Sequence, residues 1–323
     1  MLSYKVVICT SFSMAATFSG STTPLSASRT LAVPQAFTPS LKFVILIRYF
    51  LIRRELVMNL TILGTGNATV THCYNTCFVL EEKGQYLLVD GGGGNGLLQQ
   101  LERANLRWQD MRTVFVTHKH IDHLLGIIWL MRMMCQSWRR GTYDGEATIY
   151  GHDEVIGLLR SMATSLLAAK DSRYLDDKLH LITVEDGDKH TLIGHDVTFF
   201  DIRSTKAKQF GFAMELSDGR LTCCGDEPCQ PWEEDYVKGS KWLLHEAFCL
   251  DADEAIFHPY EKNHSTVKDA CQLAQRLDVQ NVILYHTEDS DLAHRKERYA
   301  EEGKKYYDGN LYIPDDLTVF TDL

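Results

Sequence analysis

The chain has 323 residues, is 45% hydrophobic and 24% charged, and carries a formal net charge of −10. This is the composition of a folded globular protein; it excludes collagen-like, disordered and disulfide-scaffold chains. The acidic balance also argues against a surface that grips long nucleic acid, unless basic residues gather locally.

Charge divides the chain in two. Residues 1–57 contain six Lys and Arg and a single acid, Glu55, so nearly all the acidity lies in 58–323. The first part is rich in Ser, Thr and Ala and closes on an apolar run, 41–52, interrupted by Arg48. That run falls short of the roughly 20 residues a bilayer span needs. Its charges flank a late apolar stretch, which is the wrong order for a secretory signal; a transit peptide or a membrane-surface segment over 41–54 suits the composition better. The preferred expectation is that 1–57 is an N-terminal extension, disordered or produced by a mis-assigned upstream start. On that reading the functional domain is 58–323, opening at Met58, cytoplasmic and without a membrane partner.

From Met58 the pattern predicts a strand over 59–63, ending at Gly64-Thr65-Gly66. Strands over 75–80 and 85–89 pair across the polar Glu81–Gly84 turn. Asp90 and four glycines follow, then a helical stripe of Leu97, Leu98, Leu101 and Leu106. A buried-type strand is expected at 113–117 and an apolar, Met-rich helix over 124–138. Next come a strand at 147–150, a helix at 154–169, and strands at 179–184, 196–202, 209–216 and 220–224, the last two forming a hairpin. The remainder reads as a strand at 241–244, a helix at 267–277, a strand at 282–285, a helix at 292–307 and a strand at 317–320. Strands in runs with helices grouped between them predict an α/β (α+β) protein of two sheets packed face to face with helices outside, a four-layer αββα sandwich.

The nine cysteines are odd in number and contain no CxxC pair, so they read as reduced thiols. Cys73 with Cys77, or Cys224 with Cys229, are spaced only weakly like metal ligands.

Chemistry concentrates in Thr117-His118-Lys119-His120-Ile121-Asp122-His123. Three histidines and an aspartate fall just after a strand. In an extended segment alternate side chains share a face, so His118 and His120 can grip one ion, while Asp122 and His123 swing toward a neighbouring position as the chain enters a helix. Imidazole and carboxylate suit zinc, manganese or iron. Ligands from distant strands are expected at Asp226, which ends an apolar strand after a flexible Gly225, and at His286, at the tip of a buried strand.

His118-Lys-His120-Ile-Asp122-His123 matches the HxHxDH motif of the metallo-β-lactamase-fold hydrolases. The resemblance spans essentially all of 58–323 and includes Gly64-Thr-Gly66, Val89-Asp90-Gly91, Gly225-Asp226 and His286. Two further segments, His245-Glu246-Ala247-Phe248 and Asn263-His264-Ser265-Thr266, resemble the ribonuclease Z branch. The resemblance implies a two-metal centre, with Zn2+ in both positions or Mn2+ as the alternative. His118 and His120 would hold the first ion, Asp122, His123 and His286 the second, and Asp226 would bridge them. A hydroxide held between the ions would be the nucleophile, with Asp122 orienting or deprotonating it. His264 would protonate the leaving oxygen and Glu246 would position His264. Asp90 would fix a metal-binding histidine. A homodimer is common among such relatives.

The sequence also departs from that pattern. The family places another histidine ligand upstream of a Gly-aromatic pair, here Gly211-Phe212, but Arg203 or a near neighbour fills the slot, and arginine cannot bind a cation. The first metal is therefore expected to be one ligand short, unless water or the remote His195 fills the gap. The loop 67–74 carries no basic residue, and no Gly- and Lys-rich arm for tRNA is present. Lys206, Lys208, Arg139 and Arg140 read as solvated surface. The expected function is hydrolysis of a phosphodiester, either a small or cyclic one or an RNA 3′ end, without a stable nucleic-acid complex. The alternatives are a carboxylic ester, lactone or thioester hydrolase on the same metals, or a catalytically weakened metal-binding protein.

Overall fold

The computed structural model describes residues 57–323. The readings made for the preceding extension fall outside the described residues. One sheet has seven strands in the spatial order β14 (Val319–Thr321), β1 (Asn59–Gly64), β2 (Cys77–Glu82), β3 (Gln85–Val89), β4 (Thr113–Phe115), β5 (Ala147–Gly151) and β6 (Leu179–Thr183). The other also has seven, in the order β13 (Asn310–Tyr312), β12 (Asn281–Tyr285), β11 (Trp242–Glu246), β10 (Gly219–Cys223), β9 (Phe210–Leu216), β8 (His195–Asp201) and β7 (Lys189–Leu192). β3 to β6 run parallel, as do β10 to β13; the remaining neighbours are antiparallel.

Three apolar layers separate four structural ones. Alternation along each strand decides which layer a side chain enters. In β3, Leu87 and Val89 face the other sheet while Leu88 faces outward. In β12, Ile283 and Tyr285 point into the same central layer, and Val282 and Leu284 point away from it. The central layer joins Leu60, Phe78 and Phe115 of one sheet to Phe199, Phe212 and Leu244 of the other. The outer face of the first sheet is covered by α1 (Gly96–Arg103), α2 (Ile121–Arg140) and α3 (Asp153–Leu166), through Leu97, Leu101, Ile127, Met131, Met134 and Leu159. A single turn, α4 (Ala169–Ser172), follows α3. The outer face of the second sheet is covered by α7 (Val267–Arg276) and α8 (Arg295–Gly303), through Val267, Ala270, Ala274 and Tyr299. The short helices α5 (Glu234–Val237) and α6 (Glu254–Phe257) lie in the connections. This is the αββα sandwich expected from the strand and helix runs.

Several boundaries differ from the sequence reading. The hairpin turn between β2 and β3 is only Lys83-Gly84, both with positive φ (52° and 72°), because Glu81 and Glu82 continue the ladder. The helix after the His cluster starts at Ile121 and runs to Arg140, stopped by Gly141 at φ 67°. The final long helix is shorter than predicted, Arg295–Gly303. β7 and β13 escaped notice because Lys189–Leu192 and Asn310–Tyr312 are short, polar edge strands with little apolar signal. Among the described residues, no helix is long and apolar enough to cross a membrane.

Candidate metal centre

The carboxyl ends of parallel strands in both sheets meet at one rim of the sandwich, and five of these strands contribute a polar residue. Asp90 follows β3, His118 lies just beyond β4, Asp226 follows β10, Glu246 ends β11 and His286 follows β12. Open α/β sheets commonly bind ligands at this end.

The approach of α2 to β3 sets the His cluster in place. His120 sits at the N-cap of α2, so His118 and His120 precede the helix while Asp122 and His123 occupy its first turn. The Gly91 N–H donates to the His123 carbonyl (2.7 Å) and the Gly126 N–H to the Gly92 carbonyl (3.0 Å). A Cβ on Gly126 would stand 1.8 Å from the Gly91 oxygen, so only glycine permits this backbone-to-backbone packing. The glycines after Asp90 thus let the helix start close to the centre.

All six residues expected as metal ligands come together. Asp226 Oδ2 lies 3.5 Å from His118 Nε2, 3.6 Å from His123 Nε2 and 3.4 Å from His286 Nε2. Asp122 Oδ2 lies 3.4 Å from His123 Nε2 and 3.6 Å from His286 Nε2. His120 Nδ1 reaches His118 Nε2 at 2.8 Å. Donor atoms of His118, His123 and Asp226, and separately of Asp122, His123 and His286, are grouped closely enough to hold an ion. His123 is common to both groups, and Asp226 of the first also reaches His286 of the second. Except for half-exposed His120, these side chains are buried.

The electrostatics suit a cation. His123 Nε2, both ring nitrogens of His286 and Asp226 Oδ1 are buried without a hydrogen-bond partner, an expensive arrangement unless something takes their lone pairs. Burial pushes the imidazoles of His118 and His120 below the ordinary histidine value, keeping them neutral and able to ligate. Burial works against the charge of Asp122, but His123 and His286 outweigh it and hold the carboxyl far below the usual range. Asp226 is likewise held down, against its burial, by His118, His286 and His123. The residues present thus fit a divalent cation.

Asp90 stands where the sequence placed it, behind the centre. Its Oδ2 accepts from His123 Nδ1 (2.8 Å) and the Thr117 hydroxyl (2.8 Å), and its Oδ1 accepts the Thr117 N–H (2.8 Å). This fixes the His123 ring so that Nε2 faces the cluster. His264 lies beside the centre, its ring 5.1 Å from that of His286 and stacked on Phe248 at 4.9 Å. Glu246 Oε1 accepts from the Ser265 N–H and hydroxyl, leaving Oε2 for His264 Nδ1 at 3.6 Å. Burial opposes a charge on His264, but Glu246 lifts it above its ordinary value. Thr266 caps α7, in a capping box with Asp269.

The loop 202–209 corrects the sequence reading. Arg203 does not face the cluster; its guanidinium lies over the Trp232 ring at 5.6 Å and lines a neighbouring groove. The residue of this loop that lines the centre is Lys206, so it is not merely solvated surface. His195 is no substitute ligand. It stands at the opposite end of β8, where it bonds Glu82 and the Glu215 carbonyl. The sequence reading also missed Lys262, Asn67 and Thr69, which line the same pocket of about 250 Å³ with His120, Asp122, Asp226, His264 and His286. Loop lysines follow no spacing rule, so nothing in the pattern marked them. Buried Arg295 was missed too. It bonds the Thr287 hydroxyl (2.7 Å) and the Pro314 carbonyl (2.8 Å), anchoring the chain just past His286.

Fold and site together define a metal-dependent hydrolase of the metallo-β-lactamase fold. Residues 58–305 match the family described as Anti-Pycsar protein Apyc1, and the chain belongs to that family. A ribonuclease Z of Synechococcus sp. (strain CC9902) is 26% identical over 313 aligned positions, covering 80% of this chain and 91% of the relative. Among solved structures, the metallo-β-lactamase fold protein YhfI of Bacillus subtilis superposes with a TM-score of 0.67 at 17% identity, over 82% of this chain and 99% of its own. The short form of human tRNase Z superposes with a TM-score of 0.61 at 20% identity, over 82% of this chain and 99% of its own.

Proposed function

We propose that the chain is a metal-dependent phosphodiesterase whose substrate is a small or cyclic phosphodiester. His118 and His120 would hold one ion, Asp122, His123 and His286 another, and Asp226 would bridge them. Bound there, zinc or manganese supplies Lewis acidity and lowers the pKa of water. Asp122, ionised and lining the pocket, would orient or deprotonate the attacking water. His264, whose charged form Glu246 favours, would give its proton to the leaving oxygen. Lys206 and Lys262 neutralise the anionic phosphoryl group.

The observation that carries this reading is the lining of the pocket. Two lysines and His264, with Glu246 buried behind it, meet the His–Asp cluster at a space of about 250 Å³. A neutral ester, lactone or thioester needs no pair of cations beside the reacting carbon, whereas a phosphodiester anion does. The confined space favours a small substrate over an RNA end, and the loop 67–74 brings no basic residue to the mouth.

The test is turnover of bis(p-nitrophenyl) phosphate and of a 3′,5′-cyclic nucleotide by the full chain supplied with zinc or manganese. Turnover that falls by about 100-fold or more in Asp122→Ala supports the assignment. Turnover of a p-nitrophenyl carboxylic ester but of neither phosphodiester would overturn it.

A further inference from the structure

The connection that delivers Asp226 carries a second cluster of donors. It leaves β10 through Cys224 and Gly225 and passes Asp226, Pro228 and Cys229 before Glu233, at the N-cap of α5. One donor atom each of Cys224, Cys229 and Glu233 lie within 4.8 Å of one another. Cys224 is wholly buried and Glu233 only 1% exposed. Glu233 Oε1 accepts the Gln230 N–H at 3.2 Å, but Oε2 is buried with no partner. Leaving a buried carboxyl oxygen unpaired is costly: burial pushes the Glu233 carboxyl up to about 9, so it keeps its proton unless a cation takes that place. Yet among the described residues no Lys, Arg or His forms an ion pair with Glu233.

We propose that Cys224, Cys229 and Glu233 form a second metal site, separate from the histidine–aspartate centre, that takes a thiophilic divalent cation of the zinc type. Two sulfurs and one carboxylate favour zinc over magnesium or calcium, which take oxygen ligands. On binding, the two thiol protons and any carboxyl proton pass to solvent, and the ion gains two thiolate–sulfur bonds and one carboxylate–oxygen bond. Cys229 also lines an open groove with Pro228, His245, Gln272 and Arg276, which gives the ion a way in and leaves room for water as fourth ligand. His245 Nε2 accepts the Cys229 N–H at 3.2 Å, so its ring already holds that loop residue in place. The ion would join the two ends of an otherwise irregular loop and so fix Asp226 from behind.

The experiment is a cobalt(II) titration of the reduced full-length chain. The histidine–aspartate centre offers only nitrogen and oxygen, so thiolate-to-cobalt charge-transfer absorption in the near ultraviolet reports the sulfur site alone. The expected result is a band whose final intensity corresponds to one thiolate-bound cobalt per chain once all sites are filled, and which disappears in Cys224→Ser and in Cys229→Ser and persists in His286→Ala. Glu233→Gln is nearly isosteric and keeps the test valid if Cys224→Ser fails to fold; it should weaken cobalt binding at this site by about tenfold or more. Absence of the band in the reduced wild type, or a band that survives both serine variants, would overturn the proposal.

Discussion

Lys206 contributes a positive charge to the pocket that a polar-loop reading of 202–209 does not reveal. Its Coulomb effect disfavours the charged forms of His120 and His264, which places it within their field. If it meets a phosphoryl oxygen, Lys206→Ala should raise KM for a phosphodiester by about tenfold, or about 1.4 kcal/mol, and leave turnover of a neutral ester nearly unchanged. Steady-state kinetics on the two substrates check this. The same residue marks the limit of the sequence. That the six side chains expected as metal ligands would gather was legible because HxHxDH concentrates rare donors at strand-to-helix spacing, and because Asp226 and His286 each end an apolar run. The slot given to Arg203 was not legible. The loop turns back there, with Arg203 at φ 55° and its side chain over Trp232, so counting residues from Gly211 could not say which side chain faces the centre. The cationic pocket wall was likewise invisible, since Lys206 and Lys262 come from different loops that only the folded chain brings together.

At the scale of elements, the fold was legible where strands were long and apolar and obscure where they were short. β10, β11 and β12 announced themselves; β7 and β13 lie at sheet edges and show mainly polar residues. Two contacts between elements make strong predictions. The α2–β3 contact rests on Gly126 against the Gly91 carbonyl, with no space for a side chain. Gly126→Ala should displace the start of α2, lower stability by about 3 kcal/mol, and reduce metal binding along with it; thermal melts and metal analysis of the variant check both. The second contact joins the sheets at the end away from the centre, where Glu82 of β2 bonds His195 of β8. Burial opposes the Glu82 charge, but Lys83 and His195 outweigh it and hold the carboxyl below its usual value of 4.5. The folded-state value is depressed, so this contribution is present above pH 4.5 and fades as pH falls through the lowered value. Glu82→Gln should therefore cost about 1 kcal/mol at pH 7, or about 2–4 °C in Tm, with the difference from wild type vanishing in strong acid.

At the scale of the whole molecule, net charge and site charge oppose each other. The chain is acidic overall, with a net charge of −10, while the pocket holds two lysines. Single-stranded RNA should bind weakly. Its affinity should fall with salt by no more than about 1–2 in log–log slope, the value for two phosphate contacts. Fluorescence anisotropy across a salt series checks this; a steep slope would mean a basic surface beyond the pocket.

The rim where the parallel strands of both sheets end has a consequence for assembly. His118, His120, Asp122 and His123 belong to one half of the sandwich, and Asp226 and His286 to the other. Neither half alone holds a complete set of donors. An ion bound there would act as a rivet between the halves, and its occupancy would count the molecules whose sheets have closed correctly. A chelator would then loosen the very interface whose phenylalanines form the central layer, so loss of metal and loss of cohesion should be a single event.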